Sequence, residues 1–318
     1  MKKRIISVLL ATVFALSVIG CGTKDTKEQD AYRQYGITCM ESGKYEDAVK
    51  AFQNALGESI GHIGEKELDI CFYKAKAQAL DGKTKDALAT YNAIIKYNKD
   101  ARAYYLRGDL YMDMGEEKKG RADFESAVQH GKKNYEIYIG IYESLSRHEK
   151  KDEGQKYLSA AMEIKGDKPE DELYKGRISY LLGENKDAIS YLEKAKEHKQ
   201  MLASYYLGLA YDANGDSDKA KKCIAEYIKS GVATSYDLYE LGMQEMQDGN
   251  YKNALTYFNF GLELEKVSNK QKLMKSAISA YEYSGDFDSE KKMMKEYLIA
   301  YTDDEEAKHG ITFWELRY

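Results

Sequence analysis

The stretch SYDLYELGMQEMQDGNYKNALTYFNFG, Ser235–Gly261, decides the fold. From Gly242 the small and bulky residues fall at fixed offsets: Gly249 at +7, Ala254 at +12, Phe258 at +16 and Gly261 at +19. Gly249 ends one apolar-periodic segment and lets the chain reverse into another. Gly242 and Ala254 allow two backbones to approach, and Phe258 fills the space between this hairpin and its neighbours. The stretch therefore reads as one helical hairpin, which cannot bury its apolar face alone.

The same offsets recur along the chain. Gly36 is followed by Gly43, Ala48, Phe52 and Ala55; Ala75 by Gly82, Ala87, Tyr91 and Ile94; Gly108 by Gly115, Gly120, Phe124 and Ala127. Gly176 leads Gly183, Ala188, Leu192 and Ala195, and Gly208 leads Gly215, Ala220, Ile224 and Tyr227. Two copies depart. After Gly140 the second small residue is Gly154, two residues late, so the inner turn Arg147–Asp152 reads as longer, without its glycine and as the softest joint of the array. After Ile278 only Gly285 is kept cleanly. The leading residues are separated by 32 to 39 positions. Period, turn glycine and the small–small–aromatic–small pattern together resemble the tetratricopeptide repeat over residues 30–300. That resemblance implies an all-α, right-handed α-solenoid of about eight helical hairpins. Residues 301–318, with Ala307, Ile311 and Trp314 at helical spacing, are expected to form a C-terminal capping helix. Pro169 is the only proline and is expected at a helix start.

The N-terminus carries a different signal. Met1-Lys2-Lys3-Arg4 is basic, Ile5–Ile19 is apolar and shorter than the roughly 20 residues of a membrane span, and Val18-Ile19-Gly20-Cys21 follows. This resembles the lipobox of bacterial lipoproteins. It implies a signal peptide over residues 1–20, a diacylated Cys21, a polar tether to residue 29, and a protein held on the outer face of a cell membrane. Whether that envelope is Gram-positive or Gram-negative stays open.

Composition narrows the function. Removing residues 1–20 takes away three cations, leaving 45 Lys and Arg against 53 Asp and Glu, so the body is acidic and is not expected to lie on anionic lipid. A net acidic chain also lacks the phosphate-neutralising patch of a nucleic-acid binder. The five histidines never pair at helical spacing, Cys39, Cys71 and Cys223 form no CxxC, and no phosphate loop or nucleophile elbow occurs. No enzyme, metal or cofactor is expected; a Cys39–Cys71 bridge is left open.

The 29 tyrosines are the excess that needs explaining. In the repeat family the first helix of each pair lines a concave groove. Carried over, the −3 slots hold Phe72, Tyr105, Ile137, Leu173, Tyr205 and Tyr239, the +1 and +4 slots hold Met112, Tyr180, Met243 and Met246, and Tyr236 lies at −6. The resemblance thus implies an aromatic and methionine stripe that holds a protein or peptide partner. Ordinary packing between repeats would use the same residues, and a cell-wall polymer would also suit aromatic platforms. The family's clamp for C-terminal carboxylates is missing.

Overall fold

The computed structural model describes residues 24–59, 63–166, 168–302, 304 and 308. Sixteen α-helices and no strand occur among them. The chain divides into two units, Met1–Ile224 and Ala225–Tyr318, the boundary falling inside α12 (Ser217–Lys229). In the first unit the helices are α1 (Lys24–Glu41), α2 (Tyr45–Gly57), α3 (Glu65–Leu80), α4 (Thr84–Asn98), α5 (Ala101–Asp113), α6 (Glu117–His130), α7 (Tyr135–Arg147), α8 (Lys151–Met162), α9 (Pro169–Leu182), α10 (Asn185–Glu197) and α11 (Leu202–Ala213). The second unit holds α13 (Ser235–Gln247), α14 (Tyr251–Glu263), α15 (Lys270–Ser284) and α16 (Phe287–Ala300). Each odd helix and the even helix after it form a hairpin, so each unit is a hairpin stack, the all-α architecture that the repeats demand.

Every inner turn closes in the same way. A backbone N–H just past the turn donates to a carbonyl five residues back, from Lys44 to Cys39 through Glu116 to Tyr111 and Asn250 to Glu245, at 2.8–3.0 Å. This is the 6→1 bond of a Schellman cap, which needs a left-handed residue just before the donor. Glycine supplies it at Gly43, Gly82, Gly115, Gly183, Gly215, Gly249 and Gly285.

In the α7–α8 hairpin that place is taken by Glu149, at φ 62°. Lys150 N–H still bonds Leu145 C=O at 2.8 Å, and only His148, Glu149 and Lys150 lie between the helices. The expected longer turn is therefore corrected: its length is that of its neighbours. Counting back seven residues from Glu149 makes Tyr142, not Gly140, the leading position. Gly154 confirms the shift, since a Cβ there would meet the Tyr142 Cα at 3.1 Å. Gly140 is small because it faces the previous hairpin, where a Cβ would come within 2.6 Å of the Tyr105 ring. The expected softness loses its ground too, because nine of the thirteen residues of α7 are buried. Glu149→Gly is expected to stabilise the first unit by about 0.5–1 kcal/mol, since the left-handed strain outweighs the added freedom of the unfolded chain. An unchanged or lower urea midpoint would count against the shifted register.

The cores are serial. Phe52 and Ile70 centre one cluster, Tyr91 and Ala103 the next, and Phe124 with Ile137, Ile141 and Leu145 a third. α7 then feeds Ile139 and Tyr142 into a fourth with Leu158 and Ile178, while Leu192 and Leu207 anchor a fifth. In the second unit Phe258, Leu273 and Ala277 form the core. The Thr234 hydroxyl accepts from Asp237 N–H at 3.2 Å and caps α13, and the buried Tyr227 hydroxyl donates to Asp237 at 2.6 Å.

Two further expectations meet the structure here. Pro169 opens α9, as its missing N–H allows. The polar stretch expected as a tether is helical from Lys24, and buried Gln29 donates to Glu67 at 2.8 Å, so the tether is shorter than expected. Cys39, Cys71 and Cys223 are free thiols. Cys21 and nearly all of the expected capping helix lie outside the described residues.

Candidate functional site

The odd helices carry the expected binding stripe, and the structure sorts its members by burial. Tyr105, Met112 and Tyr205 are interior. Tyr105 stacks on Phe124 at 6.3 Å, and Met112 lies against Gly120, where a Cβ would sit 2.7 Å from its sulfur. The placement of these three, and of the buried Ile137 and Leu173, on an accessible lining is therefore corrected: neighbouring helices cover them, and they fill the stack. Phe72 and Tyr180 are half-buried, Tyr180 leaning on the Leu192–Leu207 cluster.

Residues that the sequence did not single out occupy the same face. The Arg102 guanidinium lies over the Phe72 ring at 4.5 Å, Arg33 over Tyr73 at 5.2 Å and Arg177 over Tyr206 at 5.5 Å. Arg102 pairs with Asp100 at the start of its own helix, whereas Arg33 and Arg177 are paired between hairpins. Arg33 donates to Asp69 at 2.7 Å, and Arg177 reaches both Glu136 and Glu143 at 3.2 Å. Arg147 pairs with Asp109. Burial pushes the Asp109 and Glu143 carboxyls above the usual range, against the pull of Arg147 and Arg177. The odd helices of the first unit thus carry a charged lattice with aromatic rings beneath arginines. One sequence signal could have found it: opposite charges separated by 34–41 residues, about one repeat.

In the second unit Tyr236, Tyr239, Met243 and Met246 recur at helical spacing on α13 and remain half-buried. Tyr239 tilts against Phe258 at 6.3 Å, and the last three pack onto the Phe258 core. The Ser276 hydroxyl lies 3.6 Å from the Met243 sulfur, tying α15 to the same patch. Such residues combine a fixed base with an uncovered edge, the anatomy of a contact surface. Among the described residues no group of three or more His, Cys, Asp and Glu could hold a metal, and no helix is long and apolar enough to cross a membrane.

Residues 101–129 and 202–230 match family models described as tetratricopeptide repeat. Those two segments are similar to the tetratricopeptide repeat. The first match spans α5 and α6, whose glycines and turn repeat the pattern read from Ser235–Gly261. Among solved structures, a tetratricopeptide repeat protein from Parabacteroides merdae is 12% identical, covering 80% of this chain and 99% of its own, with a TM-score of 0.46. PilW, described as a widely conserved type IV pilus biogenesis factor, is 16% identical over 66% of this chain and 98% of its own, with a TM-score of 0.42. The Cut9–Hcn1 hetero-tetramer of APC/C is 18% identical, covering 84% of this chain and 53% of its own, at 0.43. No curated protein matches the chain.

Proposed function

We propose that this repeat protein is a lipid-anchored scaffold of the cell envelope that holds a protein or peptide partner on its odd helices and carries no catalytic centre. The observation that carries the proposal is the α13 patch: Tyr236, Tyr239, Met243 and Met246 keep exposed edges above a fully buried core. Rings and thioethers held by packing lose little freedom when a partner covers them. In the first unit Phe72 and Tyr180 offer smaller apolar edges between fixed charges, which would orient a polar peptide. Replacing Tyr236 and Met246 together by alanine is expected to abolish retention of the native partner, as read by crosslinking in the cell, while costing less stability than Phe258→Ala. Retention unchanged by the double substitution would remove the patch from the site.

The anchor belongs to the same proposal. Cys21 follows a basic start and an apolar run, and two acyl chains hold a protein to a bilayer where one does not. Cys21→Ala should leave the chain unprocessed or released, as cell fractionation will report. Normal processing with full membrane retention would sink the anchor. Residues 301–318 would cover the last hairpin: Tyr301 packs on Tyr297 at 4.9 Å, and Lys275 holds Asp304 at 2.7 Å.

A second function rests on a separate feature. Tyr251 and Tyr283 stack at 5.3 Å, and Tyr283 is 63% exposed, a platform that would suit the flat face of a sugar ring. Binding of purified wall polymer that vanishes with Tyr283→Ala would favour a polymer-binding role.

A further inference from the structure

The start of α1 and one set of turns share an edge of the first unit. Asp30 pairs with Lys66 and Arg33 with Asp69, each 36 residues apart, so α1 and α3 run parallel. Glu117–Lys150 and Arg121–Glu153 show the same for α6 and α8. Since each hairpin is antiparallel, every turn from an even to an odd helix lies at the edge where α1 begins. Every turn inside a hairpin lies at the opposite edge. Only Gly22 and Thr23 separate Cys21 from the first residue of α1, and Gln29 is already locked into the fold. A lipid on Cys21 would therefore hold the first edge, and not the second, against the bilayer.

The two edges differ in charge. Between helices at the anchor edge stand Lys99, Lys132, Lys133, Lys165, Lys168 and Lys199, all exposed, against Glu58, Asp100 and Glu163 among the described residues. Asp100 is already engaged by Arg102 at 2.8 Å. At the far edge the turns carry Asp81, Glu116, Glu149, Glu184 and Asp216 against Lys44, Lys83 and Lys150, with Asp81, Glu116 and Asp216 paired to Lys83, Lys119 and Lys219. Exposed apolar side chains accompany the lysines: Ile63, Tyr97, whose hydroxyl donates to the Ile63 carbonyl at 3.0 Å, and Met201. The far edge has Met114. Lysines around partly exposed Tyr, Ile and Met side chains suit a headgroup layer, where the stems meet apolar surface and the ammoniums meet phosphate.

We infer that the even-to-odd turn edge of the first unit rests on an anionic lipid surface. The inference depends on the proposed acylation of Cys21. Net charge does not oppose it, because the helices are roughly 20 Å long and ionic screening at about 0.1 M salt acts over roughly 10 Å. The acidic edge lies about two screening lengths from the bilayer. The overall negative balance therefore speaks for the far edge and not for the one beside the anchor.

The test uses the full lipidated chain purified from membranes and reconstituted into phosphatidylcholine vesicles, with or without phosphatidylglycerol. An environment-sensitive dye is placed at Gln129→Cys, on the anchor edge, or at Asn214→Cys, on the far edge, each in a Cys71→Ala background. Headgroup-quencher lipid is expected to quench the Gln129 label more than the Asn214 label in phosphatidylglycerol vesicles. Lys132→Glu, Lys133→Glu and Lys199→Glu together should remove most of that difference while the chain stays vesicle-bound and helical by circular dichroism. Equal quenching of the two labels on a lipidated chain would overturn the edge assignment alone. A difference that survives charge reversal, or is as large on phosphatidylcholine alone, would overturn the anionic-lipid assignment. A membrane-purified chain whose mass shows no diacylglyceryl group would overturn the anchor and this inference with it.

Discussion

Phe258→Ala is expected to lower the stability of the second unit by about 3–5 kcal/mol, the usual cost of a large cavity in a packed interior. Phe258 is fully buried and centres the cluster that joins α13, α14 and α15. Its ring lies where a side chain on Gly242 would have to go: a Cβ there would stand 2.3 Å from Cε1 and 2.6 Å from Cδ1. Gly242→Ala should therefore also destabilise, by about 1–3 kcal/mol, although alanine is the better helix former. Residues in direct contact do not add, and the pair supplies the decisive measurement. In Gly242→Ala with Phe258→Ala, the new methyl group enters the space the ring has left, so the double variant should lose less than the two single changes together. Hydrogen exchange of α13 and α14 reads this directly. Strict additivity would mean that the glycine and the ring do not face each other.

Tyr105→Ala is expected to cost the first unit a similar amount, about 3–5 kcal/mol, because the ring is 6% exposed and wedged between Phe124 and Gly140. The hydroxyl gives an independent check. It is buried with no hydrogen-bond partner, and burial pushes its pKa well up. A buried polar group left unsatisfied is costly, so Tyr105→Phe should leave stability unchanged or raise it by about 1 kcal/mol. Urea unfolding of both variants separates packing from contact. Tyr105→Ala protein that keeps its urea midpoint but fails to hold its partner would return the residue to a binding surface.

These two residues show what could be read from the chain alone. The repeat period, the turn glycines and the small–small–aromatic order made the hairpins legible, because close helix approach restricts residue size at fixed offsets. Phe258 and Gly242 are paired by that logic without any coordinates. Tyr105 is different: its slot is right, but whether a ring in that slot meets solvent depends on how deeply the next hairpin is set, and Gly140 lets α7 come in over it. The register of that hairpin was hidden for the same reason. Gly140, a glycine serving the contact with the preceding repeat, stands two residues before the true leading position, which Tyr142 occupies, and the positive φ of Glu149 and the approach of Gly154 to Tyr142 distinguish the two. The ion-pair lattice and the contrast between the two edges were present as letters. Single residues, however, carry no label for which end of a helix their neighbours occupy. The sequence by itself determined the helical repeats. Only the tertiary structure decided which aromatics are core and which keep an edge, because burial is a property of neighbours that lie a repeat away.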